Sequence, residues 1–248
     1  MNKVIHYLTV ADGSEMYYEV IGKGDALVLL HGNGGSTTYF SKQVEALSRH
    51  YRLYIIDSRG RGRSTDCSHQ ISFPLMANDL LEILHHEHLS QINLLGFSDG
   101  ANLALLFAQQ HPEMINSLIL NAGNHQFGDL TETTRRSFLC HRYLLKLIDK
   151  LHPFIHRSAH YFNLAFATIH FDEKQIKKIT APVLILVGEK DIVKPSFSRH
   201  LANLFPHSQL IIEPGIGHRF ARQKPKTYNR YVLSFLEQVP KIKDTTQH

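Results

Sequence analysis

The 248-residue chain predicts an α/β fold built on a mostly parallel, doubly wound sheet. Three observations carry that expectation. Short apolar runs of the kind found in strands buried on both faces recur at residues 26–30, 53–57, 92–97, 115–121, 181–187 and 209–212. Helical patterns lie between most of them, and that alternation implies parallel strands joined by crossover helices. The candidate functional residues fall just past the ends of such runs, where parallel sheets assemble their sites.

Residues 4–10 and 14–20 are β-rich and separated by Ala11-Asp12-Gly13, so they predict an N-terminal hairpin. The apolar run 26–30 stops at His31-Gly32-Asn33-Gly34-Gly35-Ser36. A Gly-rich loop directly after a buried strand can bring backbone N–H groups close to a ligand. No Gly-Lys-Ser/Thr follows, so a phosphate loop is excluded and an oxyanion-binding loop is the stronger reading. Residues 37–49 have helical spacing (Phe40, Val44, Leu47) before the strand at 53–57. The loop Asp57-Ser58-Arg59-Gly60-Arg61-Gly62-Arg63-Ser64 invites an anion-binding reading, but Arg residues separated by Gly in one loop are more often structural. A helix pattern over 73–88 buries Leu80, Leu81 and Leu84.

The strand at 92–97 runs into Gly96-Phe97-Ser98-Asp99-Gly100, a G-x-S-x-G pattern, and then into a helix. To lift a hydroxyl above the edge of a sheet the Ser must occupy a strained turn, and the two Gly remove side chains that would collide with neighbouring elements. Ser98 is therefore a candidate nucleophile, and the Asp99 N–H at the helix N-terminus is a candidate oxyanion donor. After the strand at 115–121 the rhythm breaks. Residues 123–179 hold no buried β-run; helical segments at 135–151 and 158–168 mix aromatic, His and basic residues, a candidate cap of more than fifty residues, longer than a crossover usually needs. Alternation resumes at 181–187, with Gly188-Glu189-Lys190-Asp191 after it, then a helix at 196–205, the strand 209–212 followed by Gly217-His218, and a final helix at 226–239. The domain expectation is a core of 1–122 and 180–240, a helical cap of 123–179, and a flexible tail of 241–248.

Composition bounds the function. Hydrophobic residues are 43% and charged residues 20%, as in ordinary globular proteins. No apolar run of about eighteen residues is present to span a membrane. Residues 1–6 lack the apolar core and cleavage site of a secretory signal, so a cytoplasmic location is expected. Lys plus Arg exceed Asp plus Glu by five, but the basic residues are dispersed and form no nucleic-acid motif. Cys67 and Cys140 form no pairing pattern. The 18 His lack metal-ligand spacing, so no metal and no other cofactor is expected.

Ser98, Asp191 and His218 follow one another in the order Ser, acid, His. With His31-Gly32-Asn33-Gly34, Asp57 to Ser64, Gly96 to Gly100, Gly188 to Asp191 and Gly217-His218 all in register, the sequence resembles the α/β-hydrolase fold superfamily across nearly its whole length. The Phe-Ser-Asp-Gly elbow with Asp-x-Arg-Gly-x-Gly-x-Ser looks closest to its small esterases and amino-ester hydrolases. The resemblance implies a sheet of α/β-hydrolase type with the N-terminal hairpin and a helical cap inserted after the sixth strand. It implies that Ser98 attacks a carbonyl carbon, His218 relays the proton, Asp191 orients the imidazole, and the N–H groups of Asn33 and Asp99 hold the oxyanion. His31 is then a buried residue tying loops together. Asp99, beside Ser98 and on the far side from any His partner, is an elbow or pocket residue. Phe154, Tyr161, Phe162 and Phe166 are expected to line a substrate pocket under the cap. The implied activity is hydrolysis of a small carboxylic ester, amide or amino ester, with a small-molecule substrate as the expected partner. The alternatives are a C–C bond hydrolase or lyase on the same fold, and a noncatalytic small-ligand receptor.

Overall fold

A computed structural model describes residues 2–68, 71–151, 162–169 and 172–242. The apolar runs form strands because both of their faces find cover. β3 (Ala26–Leu30), β4 (Arg52–Ile56), β5 (Ile92–Phe97) and β6 (Ile115–Asn121) are buried almost throughout. The hairpin is β1 (Lys3–Thr9) and β2 (Glu15–Ile21), and the sheet is completed by β7 (Val183–Lys190) and β8 (Ser208–Gly217).

The eight strands are ordered β1-β2-β4-β3-β5-β6-β7-β8. β1–β2 and β2–β4 pair antiparallel, and every other pair is parallel. The chain runs outward from β3 to β4 and then returns to place β5 on the other side of β3. Strand order therefore reverses between β3 and β5, and the crevice beyond their C-terminal ends is where an open parallel sheet binds its ligands. The loop 32–36 and Ser98 both leave the sheet at that crevice.

Numbering helices of ten residues or more, α1 (Phe73–His86), α2 (Asp99–Gln110) and α4 (Pro195–Leu204) cover one face of the sheet, and α5 (Pro225–Leu236) lies over the other. Met76, Leu80, Leu103, Phe107 and Leu201 enter the first core, while Leu47, Phe220, Tyr228 and Val232 enter the second. The remaining long helix, α3 (Glu132–Leu151), lies between β6 and β7 with a 3-10 turn at Asn163–Phe166 and a one-turn helix at Glu173–Ile176. Among the described residues this stretch contributes no strand to the sheet.

Several boundaries differ from expectation. Residues 37–49 are not one helix but a 3-10 turn, Thr37–Phe40, and a one-turn helix, Val44–Leu47. The cause is competition for backbone groups: Asp57 Oδ1 accepts the Thr37 N–H at 2.5 Å, and Arg222 Nη1 donates to the carbonyls of Thr38 and Tyr39 at 3.0 and 3.1 Å. β8 is longer than 209–212 because a register shift between Gly188 and Lys190 lets it pair on to Gly217 through Pro214. Of the helix expected at 158–168, only 162–168 lie within the described residues, and there the chain is largely the 3-10 turn. The tail expected at 241–248 falls mostly outside them.

Arg59 is structural. Its side chain is 1% exposed, its Nε and Nη2 donate to the two carboxylate oxygens of Asp79 at 2.8 and 2.5 Å, and its Nη1 donates to Asp12 at 2.5 Å and Ser14 Oγ at 2.7 Å. These bonds hold the Asp12 carboxyl down at about 2. Replacing Arg59 with Met leaves Asp79 buried without its partner, so Arg59→Met should cost about 3–5 kcal/mol in urea denaturation; a loss below about 1 kcal/mol would show that Asp79 is solvated.

Candidate active site

The turn after β5 is strained as the G-x-S-x-G pattern requires. Ser98 has φ 54° and ψ −120°, and α2 begins at the next residue. A Cβ on Gly96 would run into the Gly100 carbonyl, and one on Gly100 into the Leu30 carbonyl of β3. The Ser98 N–H donates to Asn121 O at the end of β6 at 2.8 Å. The hydroxyl is thereby fixed at the mouth of the crevice.

Three residues from three separated loops meet there. His218, directly after β8, has Nδ1 at 2.8 Å from Asp191 Oδ1 and Nε2 at 3.0 Å from Ser98 Oγ. A carboxylate can only accept, so Nδ1 carries the proton and Nε2 presents its lone pair to the serine hydroxyl. The Asp191 side chain is fully buried, and Oδ1 also accepts the Val193 N–H at 3.1 Å. Such an arrangement can remove a proton from Ser98 and stabilise the resulting imidazolium.

The loop 32–36 is clasped from behind. His31 is buried; its Nδ1 donates to Gly32 O at 2.8 Å, and its Nε2 accepts the Ser58 N–H at 3.1 Å. Asp57 reaches the same region through the Thr37 N–H and takes the Arg63 N–H at 2.9 Å. Gly32 packs so close to the turn at Ser98 that a Cβ would lie 2.9 Å from Ser98 Cβ. Asn33 therefore stands beside Ser98, and Asp99 is the first helical residue after it, where the N–H has no intrahelical acceptor.

A family model for the alpha/beta hydrolase fold matches residues 25–140. The deep-sea metagenome enzyme MGS-M2, an alpha/beta hydrolase, superposes with a TM-score of 0.78 over 96% of this chain and 100% of that one, at 22% identity. The chain has the α/β-hydrolase fold. Among its relatives is "Putative carbamate hydrolase RutD" of Caulobacter sp. (strain K31), 27% identical over 263 residues and covering 89% of this chain and 95% of the relative. The pimeloyl-[acyl-carrier protein] methyl ester esterase of Yersinia enterocolitica is 23% identical over 258 residues, covering 90% and 98%.

In this fold a cavity of about 310 Å³ opens over Ser98. Phe162 lines it with Leu130, Phe138 and Ile192. Phe166 instead stands behind Phe162, with ring centroids 5.7 Å apart, and stacks on Phe127 at 4.6 Å. It shapes the wall without forming it. Phe154 and Tyr161 lie outside the described residues. Among those that are described, no group of three or more His, Cys, Asp or Glu could hold a metal ion, and no helix is long and apolar enough to cross a membrane.

Asp99 lines the cavity, as a pocket residue beside Ser98 should, and His218 pairs with Asp191 and Ser98 rather than with it. Burial pushes its carboxyl up to about 6, against the pull of Arg61, His218 and a hydrogen bond from the Asn33 side chain. Sequence reasoning also passed over Phe138, Leu130 and Ile192, because helical and loop apolar residues give no periodic sign of facing a cavity, and Arg61, whose Nη2 donates to Asn33 Oδ1 at 2.5 Å.

The raised carboxyl has a stability consequence. Between its ordinary 3.8 and about 6 the folded protein holds a proton on Asp99 that the unfolded chain has released, so the buried charge costs stability as pH rises through that window. At 1.36 kcal/mol per unit the cost is roughly 2–3 kcal/mol above it. Asp99→Asn should therefore stabilise the protein by that order near pH 8 and by little near pH 4 in urea denaturation; equal gains at both pH values would place Asp99 in contact with water.

Proposed function

We propose that this α/β-hydrolase is a serine hydrolase that cleaves a small carboxylic ester through an acyl-enzyme. The observation that carries the reading is the unbroken hydrogen-bonded chain from Asp191 through His218 to Ser98. Ser98 Oγ attacks the ester carbonyl carbon as His218 Nε2 takes its proton, and the imidazolium returns that proton to the departing alkoxide. Water, activated by the same imidazole, then attacks the acyl-enzyme and releases the acid. Asp191 holds the imidazole in its Nδ1–H tautomer. The backbone N–H groups of Asn33 and Asp99 hold the oxyanion, a contribution typically worth about a hundredfold to a thousandfold in rate.

The relatives named for a carbamate and for a methyl ester support attack on an acyl carbon bonded to a heteroatom. Residues 123–179 act as the cap in this reading, with Phe138 and Phe162 giving the acyl group an apolar seat.

A fluorophosphonate probe should label Ser98, and Ser98→Ala should abolish labelling; labelling that persists in the variant rejects Ser98 as nucleophile. Across a series of p-nitrophenyl acyl esters, kcat/KM should rise from acetyl to medium chain lengths as the chain fills the apolar cavity, by about 0.8 kcal/mol per buried methylene. A flat series would count against Phe162 as part of the acyl seat.

A further inference from the structure

A second cavity, of about 260 Å³, adjoins the one over Ser98 at the loop 32–36. The two share Asn33, Gly34, Phe97 and Arg219. Their chemistry differs. The first is walled by aromatic and aliphatic side chains of the 123–179 segment and the β7 loop; the second is lined by Gly and hydroxyl residues, Tyr39, Arg219 and Arg222, with no carboxylate among its described lining residues.

Its two cations are placed differently. Arg222 is fixed: Nη1 donates to Thr38 O at 3.0 Å, Tyr39 O at 3.1 Å and Ser41 Oγ at 3.1 Å, which leaves Nη2 and Nε uncommitted by those bonds. Arg219 follows His218 directly and stands at the junction of both cavities, and among the described residues no carboxylate lies within ion-pair distance of it. Tyr39 stacks on Phe97 at 4.2 Å between the cations and the nucleophile elbow. Its hydroxyl is buried with no hydrogen-bond partner. Burial, Tyr228 and Asp191 raise that phenol, while both guanidinium groups draw it the other way.

We propose that Arg219, with Arg222 beside it, forms a carboxylate subsite next to Ser98, and that the substrate is an ester that also carries a free acid group. The proposal rests on the serine-hydrolase reading for its placement beside the reacting carbonyl. An ester bound with that carbonyl at Ser98 lays one arm in the apolar cavity against Phe162 and the other toward Arg219. The guanidinium fork of Arg219 matches a carboxylate in two parallel N–H···O bonds, which a lysine ammonium cannot reproduce.

Two probe pairs separate an acid on the acyl side from one on the alcohol side: p-nitrophenyl hemiglutarate against p-nitrophenyl valerate, and p-acetoxybenzoate against its methyl ester. In the wild type at least one acid probe should exceed its neutral counterpart by about tenfold in kcat/KM, the scale of one charge-assisted hydrogen bond. Arg219→Gln should bring that ratio close to one through KM rather than kcat, and Arg219→Lys should restore part of it. Wild-type ratios near one in both pairs, or a ratio that survives in Arg219→Gln, overturn the subsite. Calorimetric titration with glutarate reads the subsite without turnover. Wild-type binding that is lost in Arg219→Gln upholds it even if Ser98 resists a fluorophosphonate, the outcome that would sink the hydrolase reading alone. Absent binding, or binding unchanged in the variant, overturns it.

Discussion

The backbone at Ser98 is held at a positive φ that a residue with a side chain adopts only at a cost of about 1–3 kcal/mol. The rest of the structure is arranged so that no cheaper conformation is open to it. β5 is hydrogen-bonded on both sides, to β3 and to β6, so the strand entering the turn cannot shift. α2 leaves the turn with a backbone so close to β3 that only Gly fits at position 100. The strain is local, but the cover that sustains it is the whole central sheet. The elbow accordingly sits on a central strand buried along its whole length rather than at an edge.

Charge is distributed by the same logic of depth. The Gly-punctuated loop 57–64 carries three arginines that end in three environments. Arg59 is sealed between Asp12 and Asp79 and fastens the N-terminal hairpin turn to α1. Arg63 lies over the Tyr17 ring, 4.5 Å from its centroid. Arg61 reaches forward to the Asn33 side chain, which in turn donates to Asp99. A single loop thus ties the β-hairpin, the oxyanion candidate and the elbow together. The structural reading of its arginines is right for Arg59 and incomplete for Arg61, whose partner belongs to the site.

What could be read from the sequence follows from what is local. The runs at 26–30, 92–97 and 115–121 are strands as expected, because continuous burial needs nothing beyond apolar side chains. The separation of Ser98, Asp191 and His218 into three loops was legible from the strands they follow, and the structure brings them within hydrogen-bond distance of one another. The residues 37–49 show the limit. Their apolar spacing fits a helix, but the helix is broken by Asp57 and Arg222, the second of them nearly two hundred positions away in sequence. Asp99 shows a second limit: adjacency to Ser98 places its carboxyl at the site but gives no sign that burial lifts it to about 6.

The segment between β6 and β7 is the part least readable from sequence, yet its root is not independent of the chemistry. Leu130 bridges Val193, the Thr131 N–H donates to Ile192 O at 2.8 Å, and Lys194 Nζ donates to Gly128 O at 2.6 Å. These contacts bind the start of the segment to the three residues that follow Asp191. Asp191 Oδ1 accepts both the Val193 N–H and the His218 ring, so the backbone that anchors the segment also orients the carboxylate. A displacement of the segment at Leu130 must therefore either break the bridge to Val193 or move the acid that orients His218. Changes in α3 or in the 3-10 turn around Phe162, which lie beyond that root, carry no such penalty. The cavity wall can vary there while the Asp191–His218–Ser98 geometry stays fixed.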